Sequence, residues 1–284
     1  MKHLLKYLSL PCFLVLLQAC SNDMNTLNSS DMASSMTPPS YTLSMQGDTT
    51  MYMDTLMIKQ EKTTPNNAEE QVTQIIFSFP QITKTKATLP KDSINKFIQS
   101  ILLLDESGTL AYNSLEERMN DFIEDYEVSK KELYEMIGFD IKWSSEVHIK
   151  VLLNTPNLLT LQFEETTFTG GNHANYTTRF FNFNVNNGQR ISADDIFLKD
   201  VNIDSRNQII AHYFKTSLLH KGRTLEQIEE DYSFQGLPKN FGLTSTGILF
   251  SFDPYDIAPF SDGTIQFEVP YYDLLPYIQK SIIR

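Results

Sequence analysis

Hydrophobic positions recur along this chain at two spacings that alternate in blocks. Val72 to Phe79 is rich in β-branched and aromatic residues and stops at Pro80, which predicts a strand. Met57 to Thr63 is its expected hairpin partner, with Pro65-Asn66-Asn67 as the turn. After Pro90 the period changes. Ile94, Phe97, Ile98, Ile101 and Leu102 form a helical stripe, with Asp92 or Ser93 as its cap. Ser114 and Glu117 have the spacing of a capping box, followed by the stripe Leu115, Met119, Phe122, Ile123 and Tyr126. Ser129 and Glu132 repeat that device, as if starting another helix, and Gly138 closes the segment.

Long strands follow. Lys142–Leu153 and Leu158–Phe168 flank the turn Asn154-Thr155-Pro156-Asn157, and Ala174–Asn186 sets Phe181, Phe183 and Val185 on one face with Asn182 and Asn184 on the other. Asn187-Gly188 predicts a tight turn and Ser192 the cap of a short helix. Ile203–His220 carries the stripe Ile209, Ile210, Tyr213, Phe214 and Leu218, with Gly222 beyond its end. Thr224 and Gln227 form a further capping box. A hairpin of Phe241–Thr244 with Ile248–Phe252, a strand Thr264–Val269 and a helix Tyr271–Gln279 complete the pattern. Blocks of strands and helices joined by hairpins predict an α+β fold: antiparallel sheets, helices packed on one face, two consecutive subdomains.

The N-terminus follows a different logic. Lys2, His3 and Lys6 precede an apolar run from Leu8 to Leu17, shorter than the ~20 residues a membrane span needs. Leu17-Gln18-Ala19-Cys20 looks like a bacterial lipobox, which makes residues 1–19 a lipoprotein signal peptide and Cys20 the lipid attachment site. Ser21 after the Cys resembles an outer-membrane sorting signal, so the expected place is the bacterial envelope, at the outer membrane and facing the periplasm. Residues 20–55, rich in Ser, Asn, Thr and Met, are expected to form a flexible tether. Met51-Tyr52-Met53 has a thioether spacing that suits soft metals, but no His or Cys lies nearby to complete such a site.

Charge and cysteine count narrow the classes. The 284 residues hold 23 Lys+Arg against 35 Asp+Glu, a net charge of −12. Loss of the signal, with Lys2 and Lys6, leaves 21 basic against 35 acidic residues, a balance of −14. That balance argues against a nucleic-acid partner and suits a basic protein partner. Of the two cysteines, Cys12 leaves with the signal and Cys20 carries lipid, so no disulfide is expected.

Motifs for phosphate, dinucleotide, serine-nucleophile or zinc-protease chemistry are absent. His212 and His220 stand about 12 Å apart along one predicted helix, too far to share an ion. Acidic residues cluster at Glu164-Glu165, Asp194-Asp195, Glu229-Glu230-Asp231 and Asp253/Asp256. Neighbours on a strand point to opposite faces, which weakens Glu164-Glu165 as an acid–base pair. No catalytic residue, metal or cofactor is therefore expected. The alternatives are a cell-wall hydrolase or deacetylase-associated protein using a carboxylate cleft of Asp253, Asp256 and Glu164, or a structural envelope-assembly lipoprotein.

Two loop segments are unusual. Thr169-Gly170-Gly171-Asn172-His173-Ala174-Asn175-Tyr176 sets paired glycines and small polar groups between two strands. Asp253-Pro254-Tyr255-Asp256-Ile257-Ala258-Pro259-Phe260 stiffens a loop with prolines and shows two aromatics, good anchors because little entropy is lost on docking. Each could equally be structural: a sharp turn, and a loop burying its aromatics in its own core.

Taken together, these segments resemble the RsiV-like family: extracellular modules of lysozyme-sensing anti-sigma factors and the N-terminal region of PdaC-type peptidoglycan deacetylases. The likeness rests on Gly170-Gly171-Asn172-His173, on Gly188 through Asp194-Asp195-Ile196-Phe197, and on the series Phe241, Leu243, Thr244, Gly247, Phe250, Phe252, Pro254, Tyr255, Ile257, Ala258, Pro259 and Phe260. Val269-Pro270-Tyr271, and Phe79-Pro80-Gln81-Ile82 followed by Ile94-Asn95, extend it. The chain lacks the family's transmembrane and sigma-binding segments, the Thr-Phe-Asp-Asp-Gly motif and the His-x-x-x-His of the deacetylase domain, and has Phe260 where Tyr is common. The resemblance implies residues 56–175 as a PdaC-like domain and 176–284 as an RsiV-like domain. It also implies a non-enzymatic sensor or binding module for a lysozyme-like protein or peptidoglycan. The ligand contacts it implies are Asn172, His173, Pro254, Tyr255, Pro259 and Phe260, with Tyr255 and Phe260 as anchors and His173 as a polar contact.

Overall fold

The computed structural model describes residues 51–282, apart from 65–70, 86–90, 106–107, 140, 200, 233 and 235. The signal segment, Cys20, most of the tether and the expected turn Pro65-Asn66-Asn67 lie outside the described residues.

Strand β1 (Met51–Thr64) begins within the stretch expected to be tether. Met51 is 2% exposed, and its carbonyl accepts from Asn154 Nδ2 at 2.9 Å. Composition suggested a linker there, but apolar burial and a paired main chain decide the outcome. β1 pairs antiparallel with β2 (Gln71–Thr85), with a bulge at Tyr52/Met53.

The chain then crosses one face of the sheet through α1 (Lys91–Ile101) and α2 (Leu115–Ile137). Asp92 and Ser93, expected as caps, lie inside the first turn of α1. Asn95 grips β2 by its main chain: its Nδ2 donates to the Ile82 carbonyl and its Oδ1 accepts from the Ile82 N–H, each at 2.9 Å. Ser114 caps α2 by accepting from Glu117 N–H, and Gly138, at φ 79°, ends it by donating to the Tyr134 carbonyl. Ser129 starts no second helix. Buried Tyr126 and the Glu127–Lys130 ion pair at 2.5 Å carry the same helix through it for 23 residues.

This two-helix crossover lets β3 (Ser144–Asn154) join β2 in parallel, the single departure from the expected antiparallel pairing. β4 (Leu158–Phe168), β5 (Asn175–Asn184) and the short β6 (Arg190–Ile191) follow antiparallel, giving a six-stranded sheet in chain order. Since β5 begins at Asn175, this sheet runs across the expected subdomain boundary. The helices cover one face, where Ile94 and Ile98 pack with Phe77, Phe79, Val147, Leu161 and Phe183.

α3 (Ala193–Ile196), α4 (Ile203–His220) and α5 (Leu225–Asp231) lead to a second, antiparallel sheet of β7 (Phe241–Leu243), β8 (Gly247–Phe252) and β9 (Ile265–Pro270). The capping box Thr224/Gln227 forms as its spacing predicts, and Ser192, expected as a cap, donates its main-chain N–H to Asp195 Oδ2 at the start of α3. Ile210, Phe214 and Leu218 of α4 pack with Phe250, Phe267 and Val269. The last helix, α6 (Tyr271–Leu274), is shorter than expected. The tail leaves it to pair its main chain with the segment after α3: Leu198 N–H donates to the Tyr277 carbonyl and Gln279 N–H to the Ile196 carbonyl.

The two sheets meet at β5. Asn182, on the face of β5 opposite Phe181 and Phe183, is buried. Its Oδ1 accepts from Leu243 N–H at 2.8 Å and from the Thr160 hydroxyl at 3.0 Å, while its Nδ2 donates to the Phe241 carbonyl at 3.0 Å. Gly242 permits this closeness, since a Cβ there would lie 2.8 Å from the Phe180 ring. Asn240 imitates a neighbouring strand: its Oδ1 accepts from Phe180 N–H and its Nδ2 donates to the Thr178 carbonyl. The overall architecture is the expected α+β fold of antiparallel sheets with helices on one face.

Candidate functional site

The loop between β4 and β5 and the loop between β8 and β9 meet beyond the last side chain that pins the edge of β5. In the first, Gly170 and Gly171 take φ of 101° and 105°, values that a side chain would strain. The reversal they allow brings His173 against Phe260, ring centroids 3.5 Å apart and planes 17° from parallel. In the second, two residues hold each other. Asp253 N–H donates to Asp256 Oδ2 at 2.8 Å, and Asp256 N–H donates to the Asp253 carbonyl at 3.0 Å. Tyr255, between them, has φ 73°, the one positive value at a non-glycine residue among the described residues. For an L residue that conformation costs on the order of 1 kcal/mol or more, so the turn is held by its surroundings.

The loop divides its side chains. Ile257 and Ala258 pack on the second core, whereas Tyr255 turns outward and is 69% exposed. Phe260 is the half-buried hub, with Tyr255 at 5.6 Å and Tyr176 at 6.1 Å from its ring centre. The structure thus brings together His173, Tyr255 and Phe260 of the expected set. Pro254 sits half-buried at the turn. Pro259 is exposed, with its carbonyl accepting from Asp262 N–H, and Asn172 is exposed near the tip of its loop. Tyr176, 46% exposed, joins the cluster without having been singled out as a contact. Its signal was its place one strand residue beyond the glycine turn, on the same face as Thr178.

Asp253 fastens the loop to the sheet, its Oδ1 accepting from Thr178 N–H at 2.8 Å. Burial pushes its carboxyl up to about 6; the Thr178 hydrogen bond opposes this, Asp256 adds to it, and Arg179 opposes it. The folded protein therefore holds this proton more tightly than the unfolded chain does. Stability from this group is full below the unfolded value near 4 and is lost as pH rises through about 6. Asp253→Asn keeps an acceptor for Thr178 N–H and cannot ionise. The difference in urea midpoint between the variant and the parent is expected to grow in the variant's favour from pH 4 to pH 7. A difference that stays flat would remove the ionised Asp253 as a cost.

The other carboxylates have structural partners as well. Glu164 pairs with Lys150 and accepts from Gln162 Nε2, and Glu165, on the opposite face, binds Arg118 at 2.6 Å. Asp195 accepts from Ser192 N–H. Among the described residues, no group of three or more His, Cys, Asp or Glu could hold a metal ion, and no helix is long and apolar enough to cross a membrane.

Two segments of the chain match known families. Residues 66–176 match the family described as deacetylase PdaC, and residues 194–272 match a protein family of unknown function, DUF3298. The resemblance read from the sequence is borne out: a PdaC-type module precedes a DUF3298-type module. No curated protein sequence matches the chain. A DUF3298-family crystal structure from Bacteroides fragilis is similar over 83% of this chain and 97% of its own, at 23% identity and a TM-score of 0.61. One from Pseudomonas aeruginosa PAO1 is similar over 81% and 96%, at 18% identity and a TM-score of 0.59. Both likenesses bear on the fold alone.

Proposed function

We propose that this chain is a non-enzymatic binding module of the bacterial envelope, tethered by lipid on Cys20 to the outer membrane and facing the periplasm. Its ligand in this reading is a lysozyme-like protein, held at the aromatic cluster. The observation that carries the proposal is the convergence of two loops from distant parts of the chain on one set of rings, the exposed His173, Tyr176 and Tyr255 around the half-buried Phe260. Core aromatics would be buried; these are displayed on a braced turn, where docking costs little ordering entropy. The matches to PdaC and DUF3298 support an envelope-associated module. The chain's acidity suits a basic partner.

The test is capture of lysozyme by the full-length chain in detergent micelles at micromolar protein and low salt. Tyr255→Ala with Phe260→Ala is expected to weaken capture at least ~10-fold, the loss of about 1.4 kcal/mol or more that anchor truncation brings. No lysozyme captured, with co-sedimentation on purified sacculi instead, would replace the protein ligand by peptidoglycan glycan. Absence of both would end the proposal.

A further inference from the structure

Some aromatic faces of this protein are covered by its own cations: Arg118 over Phe77 at 5.2 Å, Arg190 over Phe181 at 5.0 Å, Arg206 over Phe197 at 5.1 Å. Among the described residues, no such cation lies over Tyr176, Tyr255 or Phe260. The charged residue next to Tyr255 in the chain is acidic. Asp256 directly follows Tyr255, is exposed, and engages Asp253 N–H through one oxygen only in the contacts described above. Glu146, whose carboxylate lies 3.5 Å from His148 Nε2, is opposite Thr166, which is opposite Tyr176, so cross-strand register sets Glu146 and Tyr176 on one face.

We propose that the cluster receives a guanidinium group, an arginine side chain of a basic protein, seated on the Tyr255, Tyr176 and Phe260 rings with Asp256 as its carboxylate partner. This rests on the reading of the cluster as a binding site and adds the chemistry it selects. A planar guanidinium stacks on aromatic faces while its edge donates to a carboxylate, which a compact ammonium does less well. Burial is the main reason that Asp253 holds its proton more tightly, with Asp256 on the same turn adding to the effect and Arg179 on β5 opposing it.

The experiment uses the full-length chain carrying fluorotyrosine, in detergent micelles, with the Tyr255 and Tyr176 signals assigned by Tyr→Phe variants. It is titrated with N-acetylarginine amide, its uncharged citrulline counterpart and N-acetyllysine amide. The expected result is that the arginine compound shifts both signals at least ~10-fold more effectively than citrulline, and more than lysine, and that Asp256→Asn removes most of that advantage. Equal shifts by arginine and citrulline, no shift by either, or lysine ahead of arginine would overturn the proposal. Lysozyme capture alongside a silent arginine probe sinks the guanidinium and leaves the binding module standing. An arginine response without lysozyme capture supports the guanidinium site and removes only that partner.

Discussion

Replacing Asn182 with leucine is expected to lower the free energy of unfolding by about 3–5 kcal/mol, measured by urea denaturation with an unchanged slope. The size follows from what is stranded. Leucine fills the space but leaves Leu243 N–H, the Phe241 carbonyl and the Thr160 hydroxyl without their partner in the interior. Each buried orphan costs about 1–3 kcal/mol, and here they lie at one junction. Asn184→Leu is the comparison two residues along the strand. That side chain accepts from Asn186 N–H at 2.9 Å beside solvent, so its loss should be within about 1 kcal/mol. If both variants lose the same amount, Asn182 is not the strut between the sheets.

The second large effect is expected at Arg118 and Glu165. Arg118 is buried. One of its NH groups donates to Glu165 at 2.6 Å and another to the Leu102 carbonyl at 2.8 Å, while its plane lies over Phe77. Glu165→Leu alone leaves a cation in the core and should cost about 3–5 kcal/mol. Arg118→Met combined with Glu165→Leu removes both charges and should recover most of that loss, because a well-packed apolar pair can replace a buried ion pair. A double-mutant cycle by denaturation reads the coupling directly. Additive losses would mean that the two charges do not depend on each other. Glu164, next in the chain but on the opposite face, holds Lys150 at the surface and should contribute about 1 kcal/mol or less.

Much of this architecture was legible from period and caps, because those are local. The Ser114 cap and the Gly138 stop of α2, both ends of α4, the Ser192 cap and the capping box at Thr224 need only their own neighbours. What escaped was decided at a distance. Alternation separates two faces of β5 and sets Asn182 opposite Phe181 and Phe183, but cannot say that a second sheet covers the polar-looking face. Ser129 has the residues of a cap, yet burial of Tyr126 one turn earlier keeps the helix running. The parallel joint of β2 and β3 depends on the whole crossover between them.

The site divides in the same way. His173, Tyr255 and Phe260 stood out as loop aromatics and polar groups, and family resemblance assembled them. Asp253 was legible as an acid but not as the clamp on Thr178 N–H. Asn240 gave no local signal at all, since a side chain that imitates a strand is recognised only beside the strand it completes.

That imitation bears on inheritance and folding. The PdaC-type segment ends at residue 176, inside β5, while the groups that finish β5, Asn240 and Asp253, come from the other module. A chain cut between the modules would present Phe180 and the vacant amide of Asn182 to water as an unfinished surface. The first sheet and β7 therefore complete each other's hydrogen bonds in the folded state. Two blocks that can be recognised separately in sequence fold as one cooperative object, and an exchange of either block between relatives must bring a matching partner for β5.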